Sequence, residues 1–256
     1  MGGKAKVLIY DIETSPNLGF IWGKYEQNVI EYDREWYMLC FAYKWLGDRT
    51  VKAVGLPDFK TYKKDPEDDK ELVAALYALF DEADVVIAHN GDSFDQKKAH
   101  ARFIYHNMTP PAPYKQIDTK KVAKRYFNFN SNKLDDLGEY LKLGRKVDTG
   151  GFELWKGCMN GDKKAWNKML KYNKQDVNLL EKVYLRMLPW IQNHPSLALM
   201  EDRPDACPRC KSTKIRREGS RTYRKTGTVQ RYRCANCGGW LEERKADNNK
   251  DLRFVT

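Results

Sequence analysis

The apolar positions along the chain predict a sheet that is covered by helices. Short apolar or alternating runs, which are typical of strands, occur at residues 7–14, 38–45, 50–54, 84–88 and 116–119. Helical spacing of apolar residues occurs at 67–82, 95–104, 121–126, 134–141 and 162–189, the last with room for one break. Strands come first and then alternate with helices, which predicts an α/β or α+β fold. Residues 55–66 and 142–161 are predicted to be loops.

Small polar residues precede two of the predicted helices. Asp92 or Ser93 is expected to cap the helix that begins near residue 95, and Ser131 or Asn132 the helix at 134–141. Residues 20–33 are rich in aromatic side chains but have no clear period. The pattern therefore predicts no regular element in that stretch.

Two acids follow the first apolar run, in which Val7–Tyr10 leads directly into Asp11 and Glu13. Residues i and i+2 of a strand point to the same face, so the two carboxylates would lie side by side. They would repel each other unless a cation lay between them, and carboxylate oxygens suit Mg²⁺ or Mn²⁺. Taken alone, the pair favours solvated residues at the end of the strand over a metal site, because so short a motif occurs often by chance.

Composition places the chain among folded proteins with a packed core. Of its 256 residues, 41% are apolar, and it contains 15 Tyr, 10 Phe and 7 Trp. The longest apolar run, at residues 72–80, is too short to cross a bilayer, and the first residues lack the apolar segment of a secretory signal. We therefore expect a cytoplasmic protein that does not associate with membranes.

Positive charge is concentrated at the C-terminal end. The net charge is +11, and the residues from 203 onward contain 15 Lys and Arg against 6 Asp and Glu. This asymmetry predicts a basic module attached to a nearly neutral domain, with a polyanion as partner. The predicted organisation is a domain at 1–193, a linker with two prolines at 194–204, and the module with its tail at 205–256.

Four of the six cysteines form two C-x-x-C pairs, Cys207 with Cys210 and Cys234 with Cys237. The 23 residues between the pairs make a gap slightly longer than is usual in a zinc ribbon, but a hairpin of variable length fits there. We expect one structural Zn²⁺ held by the four thiolates. Disulfides are the weaker alternative because no secretory signal is present.

Basic and aromatic residues alternate between the two cysteine pairs. We expect Arg216, Arg217 and Arg224 to contact phosphates, and Tyr232 to stack on a base. Docking onto a protein partner is the alternative for the module, and its charge favours nucleic acid.

Two further acids are positioned to join Asp11 and Glu13. Asp95 follows a predicted buried strand and lies near the start of a helix. Asp176 lies four residues after Tyr172, so that on a helix the two side chains share one face. The phenol and the carboxylate could then serve one site together.

At these residues the chain resembles the DEDD 3′–5′ exonucleases, which are ribonuclease-H-like (DnaQ-like) enzymes. The resemblance rests on three segments in the family's order, Asp-Ile-Glu-Thr at 11–14, His-Asn-Gly-x-x-Phe-Asp at 89–95 and Tyr-x-x-x-Asp at 172–176. The tyrosine in the third segment is similar to that of the proofreading domains of DNA polymerases. The resemblance covers about residues 5–190 and implies a ribonuclease-H-like mixed sheet flanked by helices.

The resemblance also implies a mechanism that uses two Mg²⁺ or Mn²⁺ ions. Asp11 would bridge both ions, Glu13 and Asp176 would complete the site that activates water, and Asp95 would support the second ion. Tyr172 would orient the attacking water. The products would be 5′-mononucleotides and a strand shortened at its 3′ end.

The same resemblance places Thr14, Asn90 and Phe94 near the terminal nucleotide. Phe94 would stack against a base, with core packing as an equal alternative. Asp118 is interpreted as a structural acid, and His89 as a residue that positions its neighbours through hydrogen bonds.

The predicted function is hydrolysis of nucleic acid from a free 3′ end, with DNA favoured over RNA and with replication or repair proteins as further partners. A structure-selective endonuclease and a non-catalytic nucleic-acid-binding scaffold on the same fold are the alternatives. Because all four acids and Tyr172 are present, the catalytic hypotheses are favoured over the scaffold.

Overall fold

A five-stranded mixed sheet organises the N-terminal two thirds of the computed structural model, which describes residues 3–25, 28–219, 222–224, 227–245 and 252–255. Its strands are β1 (Val7–Thr14), β4 (Met38–Trp45), β5 (Lys52–Gly55), β6 (Val85–Ala88) and β7 (Lys115–Asp118). The spatial order is β5-β4-β1-β6-β7, so that β1 lies in the middle. Strand β1 pairs with β4 antiparallel and with β6 parallel.

Helices cover both faces of this sheet. They are α1 (Lys70–Glu82), α2 (Asp95–Tyr105), α3 (Thr119–Tyr126), α4 (Leu134–Tyr140), α5 (Glu153–Met159) and α6 (Lys163–Met187). Alternation along β1 divides the core, because Leu8 and Tyr10 pack with α1 and α2, whereas Val7 and Ile9 pack with α3, α4 and α6. The predicted mixed sheet flanked by helices is confirmed.

Several local predictions were wrong. Residues 142–161 contain helix α5, whose seven residues are too few to show a clear apolar period. The helix predicted at 162–189 is present as α6, which runs through 25 residues without the break that the pattern allowed and has Asp162 as its N-cap. The N-cap of α2 is Phe94 and not Asp92 or Ser93, and the N-cap of α4 is Lys133 and not Ser131 or Asn132. Neither N-cap residue makes a side-chain cap bond.

Two further stretches contain structure that the pattern did not predict. The loop at 55–66 includes 3₁₀ turns at Leu56–Asp58 and Lys60–Lys63. The aromatic stretch contains a two-stranded hairpin of β2 (Leu18–Phe20) and β3 (Glu31–Arg34).

The C-terminal part consists of short strands. They are β8 (Ile215–Arg217), β9 (Thr222–Arg224), β10 (Gly227–Val229), β11 (Arg231–Cys234), β12 (Trp240–Lys245) and β13 (Leu252–Val255). Strands β8, β11, β12 and β13 form one antiparallel sheet, and β9 pairs with β10. A 3₁₀ turn at Leu188–Trp190 ends helix α6.

The segment predicted as a linker holds a short helix, α7 (Leu197–Met200), whose Leu197 and Ala198 are buried. Buried Arg209 donates from Nε to the Ile191 carbonyl at 2.8 Å and from Nη1 to the Trp240 carbonyl at 3.0 Å. Hydrogen bonds therefore join the end of the helical domain to the strands that follow it. None of the helices in the described part of the chain is long and apolar enough to span a bilayer.

Candidate metal centre

Asp11 and Glu13 lie near the C-terminal end of β1, the middle strand of the central sheet. The two residues alternate with Tyr10 and Ile12, whose side chains enter the core on the opposite face. The pairing with β4 is regular up to Glu13 and shifts between Glu13 and Thr14, which ends the strand. Both carboxylates are only partly buried.

Helix α6 supplies the third carboxylate. Asp176 is fully buried, and carboxylate oxygens of Asp11, Glu13 and Asp176 all lie within 4.8 Å of one another. Tyr172 lies one turn before Asp176 on the same helix and is also buried. The structure thus brings together three of the four predicted acids and the predicted tyrosine.

Asp95 stands beside this group at the first turn of α2. It is almost completely buried, and its Oδ1 accepts a hydrogen bond from the Ile12 backbone amide at 3.3 Å. Because Ile12 lies between Asp11 and Glu13, this bond places the fourth acid next to the other three. We call Asp11, Glu13, Asp95 and Asp176 the acid centre.

Burial and mutual repulsion make the ionised acid centre unfavourable without a cation. Burial, followed by the charges of Asp95, Glu13 and Asp176, raises the pKa of Asp11 well above its usual value. Burial likewise raises the pKa of Glu13 to about 8 and that of Asp95 to about 7. The carboxylates therefore need positive charge in order to be ionised together near neutral pH.

Lys146, which the sequence analysis missed, supplies part of that charge. Its Nζ lies 2.5 Å from Asp176 Oδ2 and donates to the Tyr172 hydroxyl oxygen at 2.9 Å. Burial opposes the charge on Lys146, but Asp176 and Tyr172 outweigh it and raise the pKa of the lysine. Lys146 lies in the connection between α4 and α5, where no periodicity or motif marked it.

Asn173 is a second residue that the sequence analysis missed. It is fully buried on α6, and its Nδ2 donates to Asp11 Oδ2 at 2.6 Å and to the Asp11 carbonyl at 3.3 Å. These bonds fix the carboxylate of β1 against the helix that carries Asp176. Its position directly after Tyr172, three residues before Asp176, was the available signal.

The donor set fits divalent cations that prefer oxygen. Carboxylate oxygens that converge within 4.8 Å and repel one another are the ligands that Mg²⁺ and Mn²⁺ prefer. Ionised together, the four acids carry charge −4, and Lys146 is the cation that contacts them through Asp176. The acid centre can thus accept further positive charge.

The turn after β6 is shaped by Asp118, as expected of a structural acid. Its carboxylate caps α3 and also accepts hydrogen bonds from the Asn90 amide at 2.9 Å and the Asp92 amide at 3.3 Å. Asn90 has a left-handed backbone with φ 70°, and a Cβ on Gly91 would lie 2.6 Å from the Ala88 Cβ. The tight turn therefore requires glycine at position 91.

His89 is held in the same turn by two hydrogen bonds. Its Nε2 lies 3.0 Å from the Asn132 carbonyl and its Nδ1 2.9 Å from the Thr119 hydroxyl. Burial lowers the pKa of His89 to about 4, so the ring is neutral at pH 7. A neutral ring then donates from Nε2 to the carbonyl and accepts at Nδ1.

The predicted substrate residues have different environments. Phe94 is 40% exposed, whereas Thr14 and Asn90 are partly buried. Arg216 and Arg217 are exposed on β8, and Tyr232 packs in part against the cysteine cluster. The side chain of Arg224 lies outside the described residues.

The four cysteines of the C-x-x-C pairs converge on one point. The Sγ atoms of Cys207 and Cys237 are 3.8 Å apart, those of Cys210 and Cys234 are 3.5 Å apart, and all four lie within 4.8 Å of one another. Tetrahedral zinc with Zn–S bonds of about 2.3 Å separates its sulfurs by about 3.8 Å, whereas a disulfide needs about 2.05 Å. The cluster thus has the dimensions of a tetrahedral thiolate site.

Comparisons with known proteins relate this fold to the RNase_H superfamily and to a DNA polymerase structure. A family model for the RNase_H superfamily matches residues 37–188. The structure of the family B DNA polymerase from the hyperthermophilic archaeon Pyrobaculum calidifontis superposes with a TM-score of 0.54 at 15% sequence identity, over 73% of this chain and 25% of the polymerase chain. The chain thus spans about a quarter of the polymerase's length. No curated protein sequence matches the chain.

Proposed function

The chain belongs to the RNase_H superfamily, and from this premise we propose that it is a metal-dependent 3′–5′ exonuclease. The observation that carries the proposal is the convergence of Asp11, Glu13 and Asp176 within 4.8 Å, with Asp95 beside them. Two divalent ions bound there would lower the pKa of a water and offset the charge that develops on the phosphate. Asp11, Glu13 and Asp176, with Asp95, are the residues that would hold them.

Tyr172 and Lys146 would act on the attacking water and the phosphate. Burial and the Glu13 charge raise the pKa of Tyr172, so the phenol keeps its proton. Because Lys146 donates to the phenol oxygen, the phenol proton remains available for Asp176 or a water. Lys146 would add positive charge at the reacting phosphate once the acids hold their cations.

The polarity and the substrate preference are inferred from Phe94, Tyr172 and the three motifs. Phe94 is exposed directly before Asp95, where it could stack on the terminal base. The tyrosine at position 172 and the likeness of the three motifs to proofreading domains favour the 3′ end as the site of attack and DNA as the substrate. Release of 5′-mononucleotides is the reaction that we propose.

The four-cysteine cluster is proposed as a structural zinc site within a zinc ribbon. All four positions of a tetrahedral ion would be filled by thiolates, which leaves none for catalysis. The exposed Arg216 and Arg217 of β8 pair with Arg233 and Tyr232 of β11. Because successive residues of a strand point to opposite faces, Arg216 and Arg233 share one face of the sheet. This basic face would hold the phosphate backbone of the substrate.

The exonuclease proposal is tested with single-stranded DNA and RNA labelled at either end, in Mg²⁺, Mn²⁺ or EDTA. We expect mononucleotides from the 3′ end, and no hydrolysis in EDTA or by Asp11→Asn. Asp48→Asn is the matched control, because Asp48 is an exposed acid in a turn and should be dispensable. Full activity in EDTA would overturn the proposal, and cleavage of circular single strands would establish the endonuclease instead.

The zinc proposal is tested by metal analysis of the purified protein. We expect about one zinc per chain, lost in the double variant Cys207→Ser/Cys210→Ser. Cys158→Ser is the control, since Cys158 is a buried cysteine outside the cluster. Equal zinc content in wild type and double variant would rule out this site.

A further inference from the structure

The β2–β3 hairpin exposes an apolar surface that the proposed catalytic residues do not use. Trp22 is 88% and Tyr25 90% exposed. Leu18, Phe20, Ile30 and Tyr32 of its two strands and their ends are exposed as well. Its two strands pair with each other in a sheet of their own, and an isolated hairpin is only marginally stable in water. Such a patch marks an interaction surface.

Hydrogen bonds fix the base of the hairpin at the edge of the acid centre. The Ser15 amide donates to the Tyr37 carbonyl, and the Tyr37 amide donates to Ser15 Oγ, both at 2.9 Å. The Trp36 amide donates to Asn17 Oδ1 at 2.9 Å. Since Ser15 follows Glu13 by two residues, the hairpin leaves the sheet where the carboxylates converge.

Aromatic rings continue from the acid centre to this base. Lys98 Nζ lies 3.5 Å from the centre of the Trp36 ring and 5.8 Å from that of Phe94. Phe94 directly precedes Asp95 of the acid centre. The guanidinium carbon of Arg102 lies 5.7 Å from the centre of the Trp36 ring. A row of rings with two cations therefore leads from the proposed position of the terminal nucleotide to the hairpin.

We infer that the hairpin is a base-stacking surface for the unpaired nucleotides on the 5′ side of the scissile bond. This inference rests on the proposed function, because it places the 3′ end of the strand at the acid centre. Phe20, Trp22 and Tyr25 present three exposed rings, so more than one base could stack on the hairpin. Rings such as those of Trp22 and Tyr25 stack on any base.

The charge of the hairpin favours contact with bases over contact with phosphates. Strand β3 carries Glu31 and Asp33 against Arg34, which itself pairs with Asp33 and Glu67, so the strand offers a phosphate backbone no net positive charge. The stacking rings would therefore contribute affinity with little dependence on salt, whereas the basic face of the four-cysteine module would contribute the salt-dependent part.

The test compares wild type with Trp22→Ala/Tyr25→Ala on two substrates. One is a 20-nucleotide single strand, and the other is the p-nitrophenyl ester of thymidine 5′-monophosphate, which has no upstream nucleotide. We expect KM for the 20-mer to rise at least tenfold, with hydrolysis of the ester unchanged. Trp22→Phe/Tyr25→Phe should restore KM because it keeps the rings. Tyr140→Ala, which removes a 71% exposed ring on α4, should leave both substrates unaffected.

The outcomes separate this inference from the proposed function. If wild type cleaves both substrates and the double alanine variant keeps the wild-type KM, the inference is wrong and the exonuclease stands. If wild type cleaves neither, the exonuclease proposal fails. In that case the stacking inference is tested by the fluorescence anisotropy of a labelled 20-mer in EDTA. Equal affinity of wild type and variant would overturn stacking, and tenfold weaker binding by the variant would support it. A wild-type dimer that the variant converts to monomers would make the hairpin a contact between copies, which also overturns it.

Discussion

Buried acids occur in this protein in two contrasting situations. Asp69 is fully buried and surrounded by donors, namely the Met38 amide at 2.8 Å, Arg102 Nε at 2.7 Å and Nη2 at 2.5 Å, and His106 Nε2 at 2.6 Å. Asp118 accepts hydrogen bonds from four backbone amides, those of Asn90, Asp92, Lys120 and Lys121. Both carboxylates are balanced by the protein itself.

The acid centre lacks such a balance. Asp11 accepts one side-chain hydrogen bond, from Asn173, and Asp95 accepts that of the Ile12 amide at 3.3 Å. Each carboxylate of the centre has a raised pKa, with burial as the largest cause. A buried acid whose oxygens all accept hydrogen bonds from the protein is part of the scaffold. A group of acids that repel one another is completed by a ligand.

The largest effect is expected from Asp11→Asn. It should reduce hydrolysis on the order of 10⁴-fold, because several kcal/mol of metal-dependent stabilisation are lost. It should also raise the melting temperature at neutral pH in EDTA, since folding no longer has to protonate the Asp11 carboxyl or bury it as a charge beside other acids. Thermal unfolding with and without EDTA checks the second expectation, and a lower melting temperature in EDTA would contradict the proposed repulsion.

Asp69→Asn should have the opposite effect, namely lower stability with nearly unchanged activity. It leaves Arg102 without its full charge partner in a buried site, which costs about 3–5 kcal/mol of unfolding free energy. Urea unfolding monitored by circular dichroism measures the loss. Activity of the folded fraction should stay near that of wild type. Should Asp69→Asn abolish hydrolysis while stability is unchanged, the distinction between the two kinds of acid would fail.

The sequence predicted the central sheet and the four acids because both depend on short local signals. An apolar run that ends in Asp11 and Glu13, and Tyr172 four residues before Asp176, are visible without knowledge of distant contacts. Lys146 was not predictable in this way, since its role arises from the return of the α4–α5 connection to helix α6. The hairpin was missed because its apolar residues pack against no core and so follow no period.

Lys146→Met tests how the acid centre is balanced without metal. The methionine keeps most of the aliphatic stem and removes the charge that faces Asp176. We expect a loss of about 2–3 kcal/mol of unfolding free energy in EDTA, as for a partly buried hydrogen-bonded charge. The increase in melting temperature on adding Mn²⁺ should become larger than in wild type, because the ion then relieves more repulsion. Lys171→Met, on the exposed surface of α6, is the control. An unchanged response to Mn²⁺ would show that Lys146 is not part of the charge balance.

The smallest effect is expected from Asp118→Ala, which removes a saturated carboxylate that holds the turn at residues 89–92. Loss of the cap on α3 should cost about 1–2 kcal/mol. The Asn90 amide also loses its acceptor, so KM for a single strand should rise while kcat changes little. Asp118→Asn keeps one acceptor oxygen and should recover most of both losses. A fall in kcat as large as that of Asp11→Asn, with a weaker response to Mn²⁺, would instead make Asp118 a member of the acid centre.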